Sequence, residues 1–147
     1  MSASKTRLYF LLQRAAHRLK TEADAALMKD CGLTTAQSAV MMIIAEHGPV
    51  TQKYVAETLS QRESAITAMA GRLVKAGLIT KTRSLRDSRA FELQITETGS
   101  EMLDISRLRF GEINAKLDQQ IDEADMQGLA SNLTKILDAF ATHNADV

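Results

Sequence analysis

Along the first thirty positions, apolar residues recur at three- and four-residue steps: Leu8, Leu11, Leu12, Ala15, Leu19, Ala23, Ala26 and Leu27. This is the repeat of one helix face, and it predicts a long amphipathic helix over residues 4–29 that stops at Gly32. Thr34 and Thr35 are placed to cap a second helix through AQSAVMMIIAEH, whose apolar content predicts burial and which Gly48-Pro49 ends. Thr51 opens a short third helix carrying Val55 and Leu59. After a polar break around Ser60, the stretch QRESAITAMAGRLVKAGL places Ile66, Met69, Ala70 and Leu73 on one face of a fourth helix, with Gly77 positioned to end it. The opposite face is small and polar. Ser64, Ala68 and Lys75 point most directly away from the apolar stripe, Gln61, Gly71 and Arg72 stand beside them, and Thr67 lies to one side. Residues 79–83 and 90–95 then read as two short strands with LRDS as the hairpin tip. Thr96 can cap a second long helix with Met102, Ile105, Leu108, Ile113 and Leu117 as its stripe. Asp122 and Asp125 resemble a capping pair for a last helix bearing Met126, Leu129, Leu133, Ile136, Leu137 and Phe140.

The order is a long helix, three short helices, a two-stranded hairpin and two more helices, which predicts a mainly α fold with a small β-hairpin wing. Two of the short helices, joined by the tight break near Ser60, make a helix-turn-helix whose second member is the reading helix, and the hairpin that follows is a wing. A reading helix enters the roughly 12 Å major groove only if its exposed face is not bulky, and Ser64, Thr67 and Ala68 meet that condition. Arg62, Arg72 and Lys75 are placed for flanking phosphates, and the wing arginines for a minor groove, where narrow A·T tracts attract cations.

Charge sharpens this picture. The 147-residue chain has no formal net charge. Residues 1–50 nevertheless hold six Lys/Arg against four Asp/Glu (+2), residues 51–90 eight against three (+5), and residues 91–147 four against eleven (−7). The middle of the chain is a basic island, and a local basic face binds a polyanion even on a neutral protein. Within it, LRDSRAF at 85–91 surrounds Asp87 with Arg83, Arg86 and Arg89. Such a run is either a solvated loop or a polyanion contact; its place one hairpin after a reading helix favours the contact.

The rest of the composition excludes more than it adds. A chain with 45% hydrophobic and 24% charged residues is ordinary for a folded globular protein. No apolar run approaches the roughly 20 residues that span a bilayer, and MSASKTRLYFLLQ lacks a long apolar core and a cleavage site, so a cytoplasmic protein with no membrane partner is expected. The single cysteine, Cys31, has no partner on the chain for a disulfide, no Cys/His cluster has zinc spacing, and neither a metal nor a cofactor is expected. Glu63 beside Arg62 has no second carboxylate, nucleophile and base, or Gly-rich phosphate loop to accompany it, so an enzyme is not expected.

Taken in order, RLVKAGLITKTRSLRDSRAFELQITETG at 72–99 and LTTAQ at 33–37 resemble the MarR family of winged-helix transcription regulators. The matching features are a recognition-helix end, Gly-Leu-Ile, a wing built on Asp-x-Arg, and a Leu/Ile-Thr-x-x-Gly closing segment. The resemblance covers nearly the whole chain. It implies a single domain over 1–147, with a winged helix-turn-helix DNA-binding lobe at 33–99 and a helical dimerisation lobe from 4–30 and 100–145. It also implies a ligand-responsive repressor that binds double-stranded DNA at a pseudo-palindromic operator as a homodimer. The apolar stripes of the end helices, broader than one short core requires, independently ask for a partner. By the same resemblance, Asp87 braces the wing and Arg89 enters the minor groove; Ser64, Ala65, Thr67 and Ala68 face base edges; and Arg72 contacts or braces near the backbone. Gln61, Arg62, Lys75, Arg83 and Arg86 complete the expected DNA-binding set. Two departures stand out: Ser88 and Ala68 occupy positions where many members carry arginine or another long polar side chain. Base readout through Ala68 is limited to apolar contact, and Arg86 is a candidate to supply the wing charge that Ser88 lacks.

Three features keep two readings open. Arg14 and His17, one turn apart on the first helix, either face a crevice where many members bind aromatic carboxylates or lie on a solvated face. Cys31 is either a peroxide-sensing thiol or, as its place after a helix C-terminus favours, a packed one. Met41 to Ile44 reads as core before it reads as pocket, and His47 and His143 as surface residues. A winged-helix interaction module without DNA binding is the rival reading of the whole; the basic wing argues against it.

Overall fold

The computed structural model describes residues 2–141, with side chains from Arg7 onward. His143 and the end of the predicted 100–145 segment lie outside the described residues. The elements run α1 (Ser2–Cys31), α2 (Thr35–His47), β1 (Val50–Thr51), α3 (Gln52–Thr58), α4 (Glu63–Lys75), β2 (Ile79–Arg83), β3 (Phe91–Ile95), α5 (Glu97–Asp118) and α6 (Glu123–Ala139). The chain divides into two compact units, Met1–Phe110 and Gly111–Val147.

In the first unit the core is built from every element around the short helices. Leu33, Val40, Met41 and Ile44 from α2 and its approach, Val55 and Ala56 from α3, Ile66, Ala70 and Leu73 from α4, and Leu78, Ile79, Leu93 and Leu103 pack into one buried cluster. Met41 and Ile44 are therefore core residues, as their apolar context predicts. The hydroxyls of Ser38 on α2 and Ser106 on α5 hydrogen-bond to each other, both fully buried, so α5 is fastened to the core by a polar link as well as by Leu103.

Helix ends follow their sequence signals in most places. Thr34 caps α2 through a reciprocal box: its hydroxyl accepts the Gln37 N–H, and the Gln37 side chain accepts the Thr34 N–H. Asp24 of α1 adds to this end by accepting the Thr35 N–H at 2.7 Å, and that bond holds its carboxyl below the usual carboxylate range. Thr51 caps α3 by accepting the Tyr54 N–H. The expected Asp122/Asp125 pair is a correction: Asp122 occupies the cap position of α6, but its side chain accepts no capping hydrogen bond. The Asp125 N–H instead donates to the Asp122 backbone carbonyl at 2.9 Å.

The sheet has three antiparallel strands, ordered β1-β3-β2, rather than the two expected. Val50 pairs with Leu93 and Thr51 with Glu92, so the two residues after Gly48-Pro49 form the third strand before Thr51 starts α3. A strand this short has no periodicity to betray it in sequence.

The ends of the chain look different. On α1, Ala23 and Leu27 are buried, whereas Leu8, Tyr9, Phe10, Leu11 and Leu19 are exposed. On α6 no residue is buried, and Leu129, Leu133, Ile136 and Leu137 are exposed, as is Phe140 at its C-cap. Among the described residues no helix is long and apolar enough to cross a membrane, and no group of three or more metal-ligating side chains is gathered.

Candidate nucleic-acid interface

The turn between α3 and α4 is a Schellman motif. The Gln61 N–H donates to the Ala56 carbonyl at 2.9 Å and the Ser60 N–H to the Glu57 carbonyl at 3.2 Å, with Ser60 at φ +52 in the left-handed position that usually goes to glycine. α4 then separates its residues cleanly. Ile66, Ala70 and Leu73 are buried and Met69 half-buried, while Gln61, Arg62, Ser64, Ala65, Thr67, Ala68, Arg72 and Lys75 are all exposed. The Thr67 hydroxyl lies within donating distance of the Glu63 carbonyl at 2.9 Å and the Gln52 Oε1 at 3.0 Å, so this side chain ties α4 to the start of α3. Glu63 in the first turn and Arg72 and Lys75 in the last complement the helix dipole, which places the basic pair at the end next to the hairpin.

That end is a second Schellman motif. Gly77, at φ +76, donates to the Val74 carbonyl, and Leu78 to the Leu73 carbonyl at 3.0 Å. Ile79 begins β2 at once. The closing Thr-x-x-Gly segment grips the same two residues: the Thr96 N–H donates to the Leu78 carbonyl, its hydroxyl donates to the Gly77 carbonyl at 2.7 Å and accepts the Gly99 N–H at 3.0 Å. A β-carbon on Gly99 would stand 2.0 Å from the Leu78 oxygen. The motif therefore welds the start of α5 and the base of the wing to the end of α4.

The wing itself is held by Ser84. Its hydroxyl accepts the N–H groups of Arg86 (3.1 Å) and Asp87 (3.3 Å) and donates to Glu92 Oε1 (2.8 Å). Asp87 Oδ1 accepts the Arg89 N–H at 3.0 Å, so it fixes the turn through the backbone rather than through a guanidinium. Arg83 donates to the Ser88 carbonyl at 3.3 Å. Both carboxylates of the hairpin, Asp87 and Glu92, thus accept hydrogen bonds inside it, and no ion pair joins Lys81, Arg83, Arg86 or Arg89 to a carboxylate among the described residues. Ser84, Lys81, Phe91 and Glu92 are wing residues that the sequence reading passes over. Ser84 three positions before Asp87 was a usable turn signal; the others depend on cross-strand register.

Arg14 and His17 are exposed on α1 and border an open concavity whose described wall is Gln13, Arg14, Ala16, His17 and Arg18, all from that one helix. Cys31 is half-buried and donates its S–H to the Leu27 carbonyl; burial pushes its thiol up, with Asp30 adding to the effect, so the thiolate is disfavoured. The ion pair of Asp30 with Arg109 of α5 at 2.5 Å lies beside it.

A sequence model of the MarR family matches residues 32–90, the span from the start of α2 through the wing tip. The HTH-type transcriptional repressor MdtR of Bacillus subtilis is 35% identical over 72 residues, which is 49% of this chain and 46% of MdtR's own length. The segment 32–90 belongs to the MarR family. The fold agrees: the structure of a S. aureus MepR–DNA complex superposes with a TM-score of 0.83 at 21% identity over 90% of this chain and 97% of that one. CouR from Rhodococcus jostii RHA1, bound to p-coumaroyl-CoA, gives 0.76 at 24% identity over 92% and 93%. The fold of these structures thus extends over the matched segment and the helices that flank it.

Proposed function

We propose that this chain is a sequence-specific double-stranded DNA-binding transcription regulator, a cytoplasmic repressor that acts as a homodimer on a pseudo-palindromic operator and releases it when a small molecule binds. The observation that carries the reading is the exposed face of α4, small and polar from Ser64 to Ala68, running at its basic end directly into a wing whose cations have no internal carboxylate partner. Ser64, Ala65, Thr67 and Ala68 read base edges; Gln61, Arg62, Arg72, Lys75 and Arg83 serve the backbone; Arg89 enters the minor groove on a turn that Asp87 holds, and Arg86 supplies the charge that Ser88 does not. The proposed organisation is a DNA-binding lobe at 33–99 and a dimerisation lobe from 4–30 and 100–145, with the apolar residues left exposed on α1 and α6 as the mating surface. Arg14 and His17 are the proposed contacts for a small aromatic carboxylate. The DNA in the MepR structure supports the DNA-binding part of the reading, and the p-coumaroyl-CoA bound to CouR supports a small-molecule effector of some kind.

The test is duplex binding across a salt series, with promoter fragments competing against bulk DNA. Affinity for the operator is expected to exceed that for bulk DNA by at least about a thousandfold and to fall steeply with salt. Arg89→Ala is expected to weaken operator binding about tenfold or more with the dimer intact. Equal affinity for all fragments, or a flat salt dependence, overturns the proposal.

A further inference from the structure

Within the wing, the register places Arg83 directly opposite Phe91 and Lys81 opposite Leu93. These four side chains therefore emerge on one face of the hairpin. Leu93 at the base is buried, but Phe91, one step toward the tip, keeps 42% of its surface exposed. Its ring is occupied from two positions at once: Lys81 Nζ stands 4.9 Å from the ring centroid and Arg83 Cζ 5.6 Å. Both distances lie within the range at which a ring face attracts a cation.

Two cations drawn to one ring repel each other, and among the described residues no carboxylate pairs with either; Arg83 has only the Ser88 carbonyl as an acceptor. Glu92 is the neighbouring carboxylate, but alternation turns it to the other face, where it accepts the Ser84 hydroxyl. Asp87 is committed to the Arg89 N–H. A hairpin under selection for its own stability would set a carboxylate opposite such a pair. An arrangement that concentrates two unneutralised cations on a rigid aromatic post suits an external anion, and next to a reading helix that anion is a DNA phosphate.

We infer that Phe91 is a positioning residue that holds Lys81 and Arg83 together as one phosphate-binding site on the wing, a site separate from the Arg89 contact. This rests on the DNA-binding reading above and adds Lys81 and Phe91 to it. Without the ring, both side chains regain their rotamer freedom and the phosphate contact loses its preorganisation.

The experiment measures binding of the full chain to a mixed-sequence duplex by fluorescence anisotropy over a salt series, because a phosphate contact needs no operator. Phe91→Leu is expected to weaken binding about three- to tenfold and to reduce the slope of log affinity against log salt by about one to two, whereas Phe91→Trp retains both. Lys81→Gln should lower the slope by about one, and its loss combined with Phe91→Leu should be smaller than the product of the single losses. Thermal melting of each variant separates these effects from damage to the hairpin. Should Phe91→Leu melt early, Lys81→Gln carries the test alone, and an unchanged slope in it overturns the inference. The inference also fails if Phe91→Leu binds as wild type while Arg89→Ala does not, if Phe91→Trp loses as much as Phe91→Leu, or if the losses multiply. Wild-type protein that binds no duplex at any salt overturns the DNA-binding reading itself, and this inference with it.

Discussion

At Gly99 the chain passes so close to the Leu78 carbonyl that no side chain fits, and the backbone contact is with an atom that cannot swing away. Gly99→Ala is therefore expected to cost about 2–4 kcal/mol of stability, read as a shift in the urea midpoint with unchanged slope. A variant as stable as wild type would mean that the α5 start is not seated on the wing base. Gly99 was visible in the sequence as the last letter of the closing motif, and the structure supplies the reason for it. Ser60 carries the opposite lesson: a serine in a left-handed position looks like any polar turn residue in sequence, and the strain it bears appears only with the backbone. Lys81 and Phe91 escaped for a third reason. Each looks like a routine strand residue alone, and their meeting depends on a cross-strand register that neither residue encodes locally.

Among the elements, the helices were legible because their apolar stripes and caps are both long-range regular and locally signalled, as for Thr34 and Gln37 at α2. β1 was not, since two residues carry no period, and the Asp122 cap was over-read because an exposed helix end does not require its side chain. The α2 start also has a part that no cap motif reveals, the Asp24 carboxylate arriving from α1. Its pKa is lowered in the folded chain, chiefly by the Thr35 N–H, so its contribution is fully present above the unfolded value of about 3.9 and is lost as pH falls through the folded value. Asp24→Asn is expected to flatten part of the stability loss below about pH 4 in an acid titration followed by circular dichroism. An acid limb identical to wild type would show that this bond adds nothing to the pH dependence.

For the whole molecule, the division of charge and apolar surface along the chain matches the proposed division of labour. The basic island falls on residues 51–90, and the large exposed apolar residues cluster on α1 and α6. Leu133→Lys, in the middle of the α6 stripe, is expected to convert a dimer into a monomer in sedimentation at micromolar concentration while retaining helicity. Wild-type protein that sediments as a monomer there would remove the dimer from the proposal. The weld between α4, the wing base and α5 has one more consequence, for signalling. Of the three residues that link the reading helix to the hairpin, Gly77 and Leu78 are held through their carbonyls by Thr96, which ties the link to the start of α5. A signal arriving at this lobe is therefore expected, on the proposed function, to carry wing and helix together. On the proposed function, release from DNA is then a matter of where two rigid heads stand relative to each other, and a molecule that never touches the reading face controls it by setting that distance.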